Sequence, residues 1–138
     1  MGRALGVDLG SKRIGFAISD PDRIIASTHG MVECQNDGQI RNTIVRMVNE
    51  AGADLCVLGH PINMNGSRGE AALRAEKFRD ELATVLSIPV VLWDERLTTK
   101  TAHDILIESG ARRDRRKGLV DTLSATIMLQ HYLDSHSP

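Results

Sequence analysis

Three runs of strand periodicity, joined by turns too short to hold a crossover, occupy the chain up to about Val32 before the period changes to that of a helix. Residues 3–9 alternate and then run apolar into Asp8. Ser11 and Lys12 make a turn, and Arg13 to Ser19 reads as a returning antiparallel strand. Asp20-Pro21-Asp22 is a second turn, and a third strand is expected from about Ile24 to Val32. An antiparallel meander therefore opens the fold, which excludes an all-helical or a purely parallel architecture.

Beyond it, Ile40, Ile44, Val45, Met47 and Val48 recur at helical spacing, and Gly52 ends that helix. Asp54 to Gly59 is a short continuous apolar run, as in a strand covered on both faces. A polar loop from His60 to Gly69 leads into a helix from about Glu70 to Leu86, then Pro89 and the apolar strand Val90-Val91-Leu92-Trp93. Helices are expected from about Thr98 to Ser109 and from Leu119 to Leu133. The order βββαβαβαα implies an α/β fold, a mixed five-stranded sheet flanked by helices. At 138 residues, with no repeat, linker or low-complexity tract, residues 1–138 are expected to form one domain.

The 41% hydrophobic share suffices for a core, and no apolar run approaches the roughly 20 residues that span a bilayer. No membrane association is expected. The N-terminal residues show no signal-peptide pattern, and Cys34 and Cys56 both lie in apolar, strand-like settings. They read as buried thiols in a reducing compartment, so a cytoplasmic protein is expected. Neither has a charged neighbour able to activate it as a nucleophile. His29, His60, His103, His131 and His136 show none of the pairings of a zinc site.

What remains are acids at the ends of apolar elements. Asp8 follows the first strand between Gly6 and Gly10. As a lone Asp it could simply form a turn, but flanking glycines permit the close backbone approach that a phosphate site uses. Glu95 lies in Asp94-Glu95-Arg96-Leu97-Thr98-Thr99, directly after a strand. A threonine cap would explain Thr98 or Thr99 but not the charged triplet, and strand ends are where sheet proteins place chemistry. Asp121, on a helix starting near Gly118, shares a face with Ser124, Ala125, Met128 and Tyr132. It could serve the helix dipole in the first turn; otherwise a carboxylate on so apolar a face needs a partner. Three such acids converging would seat a hard divalent cation, the chemistry of metal-dependent phosphodiester cleavage.

The formal net charge of −1 does not announce a nucleic-acid binder, yet Arg112-Arg113-Asp114-Arg115-Arg116-Lys117 packs five bases against one acid. Between Gly110 and Gly118 it reads as a mobile loop between two helices. It is either merely solvated or a phosphate contact that holds backbone without reading sequence. With aromatics at 3%, no stacking platform for unpaired bases is expected.

Four motifs taken together resemble the YqgF/RuvX family. They are Asp8-Leu9-Gly10-Ser11-Lys12-Arg13-Ile14-Gly15, Gly59-His60-Pro61-Ile62-Asn63-Met64-Asn65-Gly66, Asp94-Glu95-Arg96-Leu97-Thr98 and Val120-Asp121. They fall in the family's order across essentially the whole chain. The resemblance implies an RNase H-like fold and a Holliday-junction-resolvase-like nuclease whose role is maturation of the 5′ end of the 16S rRNA precursor. It carries the family's acidic triad onto Asp8, Glu95 and Asp121. Two positions depart: the family loop reads Gly-Leu-Pro and ends in Asp-Gly, where this chain has His60 and Asn65. No acid follows the fourth strand, as it does in other RNase H-like nucleases, so Glu95 would supply that ligand.

The expected activity is endo- or exonucleolytic hydrolysis assisted by Mg²⁺ or Mn²⁺ held by Asp8, Glu95 and Asp121. Lys12 and Arg96 would grip the scissile phosphate. Arg112, Arg113, Arg115 and Arg116 would hold flanking backbone, and Asn63 would contact substrate from the loop motif. Precursor rRNA is the expected partner, with ribosomal particles, in a monomer or homodimer. A DNA junction endonuclease and a non-catalytic RNA-binding assembly factor are the alternatives. The latter would have to tolerate a costly unused acid cluster. Asp8 to Ser11 also resembles the first phosphate loop of nucleotide-dependent kinases and ATPases, but those enclose their nucleotide between two such domains.

Overall fold

A computed structural model describes residues 2–10, 12–33, 36–95 and 113–136; of residues 113–122 it describes the backbone alone. The strands are β1 (Arg3–Leu9), β2 (Arg13–Ser19), β3 (Ala26–Glu33), β4 (Ala53–His60) and β5 (Val90–Asp94). The described helices are α1 (Asp37–Ala51), α2 (Glu70–Val85) and α3 (Arg113–Ser135). One five-stranded sheet in the order β3-β2-β1-β4-β5 joins the strands, as the periodicities predict. The meander β1-β2-β3 is antiparallel, and β4 and β5 add in parallel beyond β1. The helix expected at about 98–109 lies outside the described residues.

Alternation along the strands divides the core in two. Leu5, Val7, Cys56 and Leu58 point to one face, under Ile40, Ile44 and Val48 of α1 and Phe78 and Leu82 of α2. Ala4, Ala17, Leu55 and Val57 point to the other, under Ala125, Met128, Leu129 and Leu133 of α3. Small residues on the second face let the helix sit close to the sheet: a Cβ on Gly6 would lie 3.0 Å from Leu129 Cβ. Trp93 of β5 meets Tyr132 edge-on at 5.4 Å, and Tyr132 stacks on His136 at 4.0 Å.

Helix α1 begins at Asn36, whose side chain accepts from the Gln39 amide at 2.8 Å, and ends at Gly52, left-handed with φ 65°. Two elements start two or more residues away from the sequence reading. The third strand starts at Ala26 rather than Ile24, because the Asp20 carboxylate accepts from the amides of Ile24 (2.7 Å) and Ile25 (2.8 Å) and holds both in the turn. The last helix begins at Arg113, well before Leu119. Residues 113–117, expected in a mobile loop, are helical: Arg and Lys favour helix, and an interior glycine such as Gly118 costs only about 1 kcal/mol. Asp121 therefore sits two turns inside α3, not in its first turn, which removes the dipole explanation of it.

Cys56 is buried, and burial pushes its thiol up to about 12, so it is an inert core residue as expected. Cys34 lies outside the described residues. Among the described residues no helix is long and apolar enough to cross a membrane.

Candidate active site

The C-terminal ends of β1, β4 and β5 meet at one edge of the sheet. Val7 pairs with Leu58 and Gly59 with Trp93, so Asp8 and Gly59 lie side by side. By alternation both face α3. The chain leaves β5 at Asp94, and the Glu95 amide donates to the His60 carbonyl at 3.2 Å, which turns the Glu95 side chain back over the sheet. Its carboxyl lands on Gly59. A Cβ there would lie 2.8 Å from Oε2 and closer still to Cδ and Oε1. Only glycine at position 59 leaves room for this acid.

Glu95 is 7% exposed, and its Oε1 is a buried oxygen with no hydrogen-bond partner. Burial is the first cause that pushes its carboxyl well above its ordinary pKa. The negative charge of Asp8 is the second, a hydrogen bond to the Asp8 carboxyl the third, and the charge of Asp94 the fourth. Glu95 hydrogen-bonds the half-buried Asp8 carboxyl, so the two acids oppose each other's ionisation at the sheet edge.

Helix α3 crosses this face antiparallel to β1 and β3. Thr126 Oγ1 lies 3.1 Å from Thr28 Oγ1, and Gln130 Oε1 accepts from the Ala26 amide at 2.8 Å. Gly6 lies under Ala125 and Leu129. Asp8 is two residues further along β1, roughly 7 Å. At about 1.5 Å per helical residue the same distance runs back along α3 from position 125 or 126 to about 121. The backbone at position 121 thus lies at the level of Asp8, while the Asp121 side chain is outside the described residues. Among the described residues no group of three His, Cys, Asp or Glu side chains could hold a metal ion. The described part of the proposed triad is the pair Asp8 and Glu95.

The candidate substrate contacts are dispersed. Lys12 is exposed in the β1–β2 turn. Asn63 is exposed in the loop after β4, where its Nδ2 donates to Ser67 Oγ at 2.9 Å. Arg96 and Arg112 lie outside the described residues. Arg113, Arg115 and Arg116 begin α3, their side chains undescribed.

Two residues of α2 that carry this edge escape local pattern reading. Arg74 of α2 donates to the Gly10 carbonyl at 3.1 Å and pins the turn after Asp8. Glu76 of α2 meets both His60 Nε2 and Arg68 Nη1 at 2.9 Å. His60 alternates with Gly59 and so points to the α2 face, away from the acid pair. These bonds span 8 to 64 residues; the one local trace is an i,i+2 pair of charges on a helix, which is indistinguishable from a solvated face.

Sequence comparison matches residues 2–135 to the RuvX family, described as Holliday junction resolvase. A protein of Syntrophomonas wolfei named "Putative pre-16S rRNA nuclease" is 41% identical over 135 residues, 98% of this chain and 96% of its own. One of the same name from Caldanaerobacter subterraneus is 44% identical, covering 96% of each. Among solved structures, fowlpox virus resolvase in complex with Holliday junction DNA superposes with a TM-score of 0.59 at 14% identity, covering 99% of each chain. Thermus thermophilus RuvC with a Holliday junction substrate gives 0.55 at 12%, covering 96% of this chain and 94% of that one. At such identities the structures speak for the fold alone, and it is the RNase H-like architecture implied by the motifs. The chain belongs to the RuvX family of nucleases.

Proposed function

We propose that the chain is a divalent-cation-dependent nuclease that matures the 5′ end of the 16S rRNA precursor, acting in the bacterial cytoplasm. One observation carries the cation dependence. A carboxylate is buried on a glycine seat against a second carboxylate, with one oxygen left unpartnered. Such an arrangement is costly for the protein alone and becomes favourable with a hard cation between the acids. The donor set is all oxygen, which suits Mg²⁺ or Mn²⁺. Asp8 and Glu95 would hold it, with Asp121 as third ligand. When bound, the cation lowers the pKa of a coordinated water and neutralises charge on the phosphate.

The chain's own residues do the rest. Both Asp8 and Glu95 act as ligands only in their ionised form. Gly59 keeps the Glu95 carboxyl in place, and the His60 carbonyl orients it through the Glu95 amide. Lys12 and Arg96 flank the acids in sequence and would grip the scissile phosphate; Asn63 would touch substrate from the loop. The precursor-rRNA substrate rests on the names of the full-length relatives. A DNA junction endonuclease is the second reading, favoured by the family's description.

Incubating the protein with precursor rRNA, a four-way DNA junction and single-stranded RNA, each with Mg²⁺, Mn²⁺ or EDTA, tests both. Cleavage of the rRNA in either metal and none in EDTA is expected. Asp8→Asn, which keeps shape but loses a cation ligand, should lower the rate by orders of magnitude. Undiminished cleavage by folded Asp8→Asn would remove the mechanism's principal ligand.

A further inference from the structure

His60 closes β4 and Asn65 lies in the loop that follows it, and each anchors part of that loop. Asn65 Oδ1 accepts from the Ser67 amide at 2.9 Å and from Ser67 Oγ at 2.6 Å. The Asn63 amide donates to the Ser67 carbonyl at 2.9 Å, closing the loop on itself just before Arg68. At the other end, half-buried His60 and Glu76 face each other from β4 and α2 at 2.9 Å. The second oxygen of Glu76 takes Arg68 Nη1 at 2.9 Å.

Arg68 is 58% exposed at its side chain, and among the described residues Glu76 is its one partner. A guanidinium has five N–H donors in a fixed fork, so one anchored nitrogen leaves the others turned outward. An arginine held by a carboxylate, itself held by an imidazole, keeps its fork in place before any ligand arrives, which lowers the ordering cost of binding. Its loop leaves the sheet at the same edge as the acid pair, because the His60 carbonyl accepts from the amides of both Ile62 (2.9 Å) and Glu95 (3.2 Å).

We propose that Arg68 binds a backbone phosphate of the nucleic acid flanking the cleavage site, and that Glu76, fixed by His60, is the positioning residue that aims it. The inference rests on the nuclease reading above. His60 supplies the ring that steadies Glu76, and Asn65 orders the backbone that leads into Arg68.

The test is fluorescence anisotropy of a labelled single-stranded fragment spanning the 5′ end of precursor rRNA, in EDTA so that no cleavage intervenes. Binding is followed against salt for wild type, Arg68→Ala, Arg68→Lys, Glu76→Ala and Glu76→Gln. For Arg68→Ala, removal of one phosphate grip should flatten the slope of log K against log salt by about 0.7, and at 0.1 M salt weaken binding about fivefold. Arg68→Lys keeps the positive charge, so the slope should hold while affinity falls by a smaller factor. Glu76→Ala and Glu76→Gln each remove one negative charge and are read against each other, the alanine variant, which loses the anchor as well, binding more weakly than the glutamine variant. Glu76→Gln, which retains an acceptor, should recover part of the affinity. Circular-dichroism melts check that each variant is folded. Wild-type slope and affinity in folded Arg68→Ala would overturn the phosphate contact, and equal affinity in Glu76→Ala and Glu76→Gln would overturn the positioning role of Glu76. Wild type that cleaves while Arg68 proves indifferent sinks this inference alone; wild type that neither binds nor cleaves sinks the nuclease reading with it.

Discussion

Glu95 concentrates the energetics of the site in one side chain. A carboxyl whose pKa is higher folded than unfolded binds more protons in the native state over the interval between the two values. Its stability contribution is fully present below the ordinary value of 4.5 and is lost as pH rises through the folded value. The cation-free protein should therefore melt at progressively lower temperature from about pH 4.5 upward on account of this residue. Glu95→Gln cannot ionise and should flatten that slope. At neutral pH it should melt several degrees above wild type in EDTA while cleaving no substrate. Mg²⁺ or Mn²⁺ should raise the melting temperature of wild type but not of the variant. Parallel pH–stability curves for the two proteins would show that Glu95 is not the strained group.

Among the elements, the start of α3 is where local signals mislead. Glycines at 110 and 118 bracket the bases like loop punctuation, yet the bases themselves are good helix formers, and the helix runs through the second glycine. Replacing Arg112, Arg113, Arg115 and Arg116 by alanine, the strongest helix former, should leave the helical signal intact. If the cluster grips phosphates, the salt slope should flatten by about 0.7–0.9 for each phosphate released, and affinity should fall more than turnover. An unchanged slope would make the segment a solvated helix end. The sheet, by contrast, is legible in the sequence, because alternation and short turns leave a meander little choice of partner. Asp8 and Glu95 are legible for the related reason that each follows an apolar strand. The Gly59 seat and the bond from Glu76 to His60 are not, since both depend on which strand and helix lie alongside, and no local pattern records that.

At the scale of the whole molecule, the proposed triad would form only where the two ends of the chain come together. Asp8 arrives on the first strand and position 121 on the last helix, and what joins them is the close packing of α3 on the small-residue face of the sheet. Gly6 is a close point of that packing, with Leu129 Cβ 3.0 Å and the Ala125 carbonyl 3.5 Å from where a side chain would begin. Gly6→Val should push α3 off the sheet. Overpacking of this kind costs about 1–3 kcal/mol, which a domain of this size can survive. The loss of cleavage should exceed what the unfolded fraction explains, because the separation opens between Asp8 and position 121 while Asp8 and Glu95 stay together. Adding Leu129→Ala makes room beneath the helix and should restore cleavage in part, even though that change alone removes buried surface and destabilises. Urea melts followed alongside cleavage distinguish the two effects. Were Gly6→Val to lose activity only in proportion to its unfolded fraction, the docking of α3 would matter for stability and not for assembling the acids.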